Sequence, residues 1–94
     1  MKVWKVVYRI EALVDIENFV VYCERSDASQ KFTNVMMDQI ASLQRNPYRF
    51  RSVSNRSGYR RMLFRPFQVF YEIDETTQTV RVMRVWHSAR DLWE

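Results

Sequence analysis

The chain has 94 residues and a formal charge of +4, with 47% hydrophobic residues, one Gly, two Pro and one Cys. That length allows a single domain, residues 1–94, with one modest core, and the apolar share excludes a disordered chain. No apolar run approaches the roughly 20 residues that cross a bilayer, so no membrane association is expected. The lone Cys23 can form no internal disulfide, which suits a cytoplasmic protein.

The N-terminal stretch MKVWKVVYRIEAL reaches charge at Arg9 and Glu11 without a small-residue cleavage site, so it is not expected to be a signal peptide. Over residues 2–10, Trp4, Val6, Tyr8 and Ile10 alternate with Lys5, Val7 and Arg9, which predicts a strand. The period then lengthens. Leu13, Ile16, Val20 and Cys23 recur at helical spacing, widened by Ala12 and Phe19, with Asp15, Glu17 and Glu24 off the stripe. This predicts a helix near 11–25, with Cys23 a small buried hydrophobe rather than a nucleophile.

Ser26-Asp27 supplies an N-cap for a second helix near 27–45, whose inner face would be Ala28, Phe32, Val35, Met36, Ile40 and Leu43. Asn46-Pro47 ends it. The short connection makes the pair an antiparallel hairpin. Strands follow: a short one at Tyr48–Val53, a turn at Asn55-Arg56-Ser57-Gly58, and a strand from Tyr59 to Arg65 that Pro66 limits. Phe67–Ile73 is rich in aromatic and β-branched residues and predicts a central strand. After a polar turn at Asp74–Gln78, Thr79–His87 forms the last strand. The expected class is α+β: an N-terminal strand and a helix hairpin packed on one face of an antiparallel sheet of three to five strands.

Charge is unevenly placed. Residues 1–47 carry six basic and six acidic groups, whereas residues 48–94 carry nine basic and five acidic ones. All nine basic groups there are arginines, whose planar forks suit phosphate or carboxylate. The second half therefore points to an anionic partner, or else to a solvated, arginine-biased surface.

The segment GYRRMLFRPFQVFYEIDETTQTVRVMRVWHSARDL resembles the C-terminal half of the RelE/ParE toxins of type II toxin–antitoxin systems. The matching pieces are Tyr59-Arg60-Arg61, then Phe67-Gln68-Val69-Phe70-Tyr71, then Arg84-Val85-Trp86-His87-Ser88-Ala89-Arg90-Asp91. The N-terminal half is similar as well, with its strand and two helices, so the resemblance covers nearly the whole chain. It implies the toxin fold and a cognate antitoxin that wraps the toxin as it folds, with a possible higher-order toxin–antitoxin assembly. Arg60, Arg61, Arg65, Arg81, Arg84 and Arg90 are the residues expected to meet the antitoxin or the target.

The resemblance leaves the target open. ParE-like members inhibit DNA gyrase without catalytic residues; RelE-like members cut mRNA in the ribosome. Metal-independent cleavage needs a base, an acid and cations around the phosphorane. If this chain were a nuclease, His87 would move the proton and Arg60, Arg61, Arg84 and Arg90 would supply the cations; otherwise His87 satisfies a backbone carbonyl at the strand end, and Arg90 and Asp91 tie the tail to the sheet. Two departures argue against it. Gln68 stands where RNA-cutting members carry an Arg beside the scissile phosphate, and the C-terminal Tyr of RelE has no counterpart before Trp93-Glu94. The residue types show no Cys/His cluster or paired carboxylates, so no metal or other cofactor is expected. The expected function is therefore a ParE-like gyrase inhibitor that blocks replication. A ribosome-dependent endonuclease and a detoxified binding module with the toxin fold are the alternatives.

Overall fold

A computed structural model describes residues 3–23, 29–53, 58–64 and 67–87, with backbone only at 19–23, 29–32 and 87. The chain opens with strand β1 (Lys5–Tyr8) and continues into helices α1 (Ile10–Cys23) and α2 (Ser29–Ala41). Two 3-10 turns, Ser42–Gln44 and Pro47–Arg49, lead to β2 (Tyr59–Phe64), β3 (Phe67–Asp74) and β4 (Thr79–His87). The strands form one sheet in the order β1-β4-β3-β2.

The helices lie on one face of this sheet. Alternation sends Met62, Phe67, Val69, Tyr71, Val80, Val82 and Val85 to that face, where they are buried with Ala12 of α1 and Met36, Ile40 and Leu43 from α2 and its 3-10 extension. β3 is central and buried on both faces from Phe67 to Tyr71, as its aromatic and β-branched composition predicts. No described helix is long and apolar enough to cross a membrane.

Three details depart from the sequence reading. The antiparallel arrangement holds for β2, β3 and β4, but β1 pairs parallel to β4, from Lys5↔Thr79 to Tyr8↔Val82. A period of two fixes which face a side chain occupies and says nothing about the direction of the neighbouring strand. Secondly, Tyr48–Val53 is not a strand. Pro47 begins a 3-10 turn, for which its fixed φ is suited, and the Asn46 side chain caps it by accepting from the Tyr48 amide at 3.2 Å. Only one bridge, Ser52↔Arg60, survives at the edge of β2.

Thirdly, Leu13 and Val35 belong to the predicted inner faces yet are 49% and 43% exposed. α1 instead turns Ala12, Asp15 and Ile16 towards the sheet, a spacing of three and four that includes a carboxylate. The predicted cap at Ser26-Asp27, and Ala28, lie outside the described residues, as do the side chains of Phe19, Val20, Cys23 and Phe32.

Gly58 opens β2 with φ +86°, and a Cβ built there meets nothing within 4 Å. The cost of a side chain is thus purely conformational. Gly58→Ala is expected to lower the unfolding free energy by about 1 kcal/mol, readable as a shifted urea midpoint at unchanged slope; an unchanged midpoint would show that the turn tolerates another conformation.

Candidate functional site

The sheet face opposite the helices carries most of the sequence-predicted site. Register places Arg61 of β2 across from Phe70, Gln68 of β3 across from Trp86, and Arg84 of β4 across from Phe70 on its other side. A bulge contributes to this. Phe70 pairs with Arg84 but Tyr71 pairs with Val82, so Met83 is an extra residue, and Arg84 faces away from the core while Val85 faces into it. Phe70 and Trp86 pack edge to face with centroids 5.3 Å apart, and the Arg84 guanidinium lies 4.9 Å from the Trp86 ring centre.

Each described arginine of the predicted set has a defined contact. Arg60 points to the helix side and donates to the Phe50 carbonyl at 2.5 Å and the Tyr48 carbonyl at 3.3 Å, with its guanidinium 5.1 Å from the Tyr48 ring centre. It is a strut that holds the 47–50 segment on the sheet. Arg81 is paired with Glu72 across the strands at 2.5 Å. Arg84 donates from Nε and Nη2 to Asp15 at 2.8 and 3.0 Å. Arg61 is exposed and donates to the Gln68 amide oxygen at 3.2 Å. Arg65 and Arg90 lie outside the described residues. The backbone of His87 ends β4 opposite Phe67.

The Asp15 contact was not foreseen. β1 ends at Tyr8, level with Val82, so β4 runs on without a strand on that side. There α1 takes over: Arg9 N–H donates to the Val82 carbonyl at 2.9 Å, and Asp15 accepts the Val85 N–H at 2.9 Å as well as Arg84. The carboxylate stands in for the missing strand. It holds the Arg84 guanidinium above its ordinary pKa, chiefly through the hydrogen bond. The available signal was that Asp15 falls three residues after Ala12 and one before Ile16, on the inward side of α1.

At the other end of the sheet, the Tyr71 hydroxyl donates to the Pro47 carbonyl at 2.6 Å, and burial pushes its phenol up to about 12. Tyr48 donates to Glu75, a contact that also raises its pKa, and packs edge to face on Trp4. Glu11 is held below the carboxylate range by a backbone hydrogen bond and by Arg9. Among the described residues no group of three His, Cys, Asp or Glu side chains is placed to hold a metal ion.

The fold that carries these contacts is similar to that of known proteins. The family model described as the ParE toxin of the type II toxin–antitoxin system parDE matches residues 6–92. The chain belongs to the ParE/RelE toxin family. Its fold is similar to that of a chain in the RelBE2 toxin–antitoxin complex of Mycobacterium tuberculosis, with TM-score 0.69 and 20% identity over 93% of each chain. It is also similar to a chain of the chromosomal ParDE system of P. aeruginosa, with TM-score 0.76 and 15% identity over 90% of this chain and 96% of the other. No curated protein matches the sequence. As a ParE/RelE toxin, the chain carries the arginine-bearing sheet face and the Asp15 lock on the scaffold of this family.

Proposed function

We propose that this toxin is a ParE-like inhibitor of DNA gyrase that blocks replication and is neutralised by a cognate antitoxin. The observation that carries the reading is Gln68. It is 4% exposed, at the middle of the sheet, and offers a neutral amide where phosphoryl chemistry would need a guanidinium. Loss of one such donor typically costs about 10²–10³ in rate. The neighbouring cations are also committed elsewhere. Arg60 braces two carbonyls, Arg81 serves Glu72 and Arg84 serves Asp15. A face so arranged suits binding better than proton transfer around a phosphorane. The similar structures from M. tuberculosis and P. aeruginosa are those of toxin–antitoxin systems, which supports an antitoxin as partner.

One observation favours a second reading, a RelE-like ribosome-dependent mRNA endonuclease. Arg61 reaches diagonally across the register to within 3.2 Å of the Gln68 oxygen. A guanidinium therefore does stand beside position 68, supplied by the neighbouring strand. The resemblance names His87 as the proton-transfer group of such a nuclease, and its backbone ends the strand that pairs with Gln68.

The two readings separate cleanly. Induction of the free toxin is expected to halt DNA synthesis and leave mRNA intact by primer extension, and purified protein is expected to inhibit gyrase supercoiling. Codon-phased mRNA cuts, lost in His87→Ala and accompanied by unaffected gyrase, would establish the endonuclease instead.

A further inference from the structure

The bridge at Ser52↔Arg60 has a consequence for charge. It is flanked by hydrogen bonds from Arg61 N–H to the Arg51 carbonyl at 3.1 Å and from Val53 N–H to the Tyr59 carbonyl at 2.8 Å. This antiparallel register sets Arg51 directly across from Arg61, with both side chains on the face that bears no described helix. Both are exposed. Like charges opposite one another are destabilising, so the pair is an expense to the free fold. On the same face Arg81 and Arg84 have Glu72 and Asp15, but among the described residues neither Arg51 nor Arg61 is paired with a carboxylate.

We propose that the Arg51–Arg61 pair is the docking point for one or two carboxylates of an acidic, amphipathic segment of the antitoxin. The inference rests on the antitoxin reading above and narrows it to an address. Arg60, Arg81 and Arg84 act in the fold, and the partner's acidic groups go to the two arginines of this sheet face that no described carboxylate pairs. The surroundings favour a peptide over a nucleic acid. Leu63 is half exposed beside Arg61 on the same face, and Val53 and Tyr59 flank Arg51, which suits a segment with apolar residues between its acids. A phosphate backbone needs a continued track of cations, commonly about 6–10 contacts. Among the described residues of this face, only this pair of arginines is left without a carboxylate, since Arg81 and Arg84 are already paired.

The test uses the full-length toxin and, as probe, a fluorescent peptide spanning the C-terminal half of the product of the reading frame adjacent to its gene. Competition with a 20-nucleotide single-stranded RNA is measured in parallel. Arg51→Glu and Arg61→Glu are each expected to weaken peptide binding about tenfold or more, with a flatter salt dependence, because rim charges set steering and complementarity. Arg45→Glu, exposed after the 3-10 extension of α2 rather than on this sheet face, is expected to change it less than about threefold. Circular dichroism and thermal melts confirm that the variants fold. Folded Arg51 and Arg61 variants that bind the peptide as the natural chain does would overturn the inference while leaving the antitoxin reading intact. So would variants that keep the peptide but lose the RNA, which would assign the pair to nucleic acid. A natural chain that does not bind the peptide overturns the antitoxin reading and the inference with it.

Discussion

Tyr71→Ala is expected to remove about 3–5 kcal/mol of stability, the usual range for emptying a buried aromatic site. A domain of this size has roughly 5–15 kcal/mol in total, so the variant would be poorly folded at 37 °C. The ring is fully buried in the core, and its hydroxyl holds the Pro47 carbonyl at 2.6 Å, tying the 3-10 segment to β3. Tyr71→Phe separates the two contributions. It keeps the ring, leaves the carbonyl without its donor, and is expected to cost about 1–2 kcal/mol. The pH dependence adds a second signature. Burial raises the folded phenol to about 12 from its ordinary 10.0, so the folded state holds that proton more tightly than the unfolded chain. The stability linked to it is complete below pH 10 and declines as pH rises towards 12. Urea midpoints measured across this range should therefore fall more steeply for the natural chain than for Tyr71→Phe. Parallel curves would show that Tyr71 ionises as readily folded as unfolded.

Much of the fold was legible because side-chain period is a local property. β3 and β4 lie where alternation and aromatic content placed them, and the inner face of α2 at Met36, Ile40 and Leu43 follows its spacing. What failed depended on partners distant in sequence. Leu13 looked like core and is half exposed, because the orientation of α1 is set by the edge of β4 that it must cover. Tyr48–Val53 has the composition of a strand, yet Pro47 starts a 3-10 turn whose carbonyls are then taken by Tyr71 and Arg60. β1 pairs parallel with the last strand, a choice no local pattern encodes.

Of the candidate site, the arginine excess was legible and the contact each arginine makes was not. An arginine excess in the second half pointed to an anionic partner, and the arginine-bearing sheet face is there. Sequence alone could not tell committed cations from open ones. Arg60, Arg61, Arg81 and Arg84 are equivalent letters, but one braces carbonyls, two have carboxylates and one meets an amide. Arg51, which the motif did not include, gains its meaning only from the bridge that sets it against Arg61. The diagonal contact from Arg61 to Gln68 likewise depends on strand register.

Asp15→Ala is expected to lower stability by about 2–3 kcal/mol and to loosen the end of β4 selectively. Asp15 has only 12% of its side chain exposed, and it accepts from Arg84 twice and from the Val85 N–H. Removing it strands a backbone donor and a guanidinium together, and each unmet group near the interior costs on the order of 1–3 kcal/mol. The figure is kept at the lower end because the Arg84 side chain is 37% exposed, so water can take over part of its solvation. Arg84→Met should then cost less, about 1 kcal/mol, since Asp15 still meets the Val85 N–H. Asp15→Asn should fall between the two, keeping an acceptor for that N–H but losing the charge. Amide exchange localises the effect: Val85 is expected to lose protection by more than about tenfold in Asp15→Ala, beyond the global change, while Val80 and Val82, backed by β1, follow the global change alone. Uniform loss across β4 would mean that the carboxylate supports the fold as a whole. A selective loss would show that α1 stands in for a strand at the edge of β4 and holds the end of that strand in place.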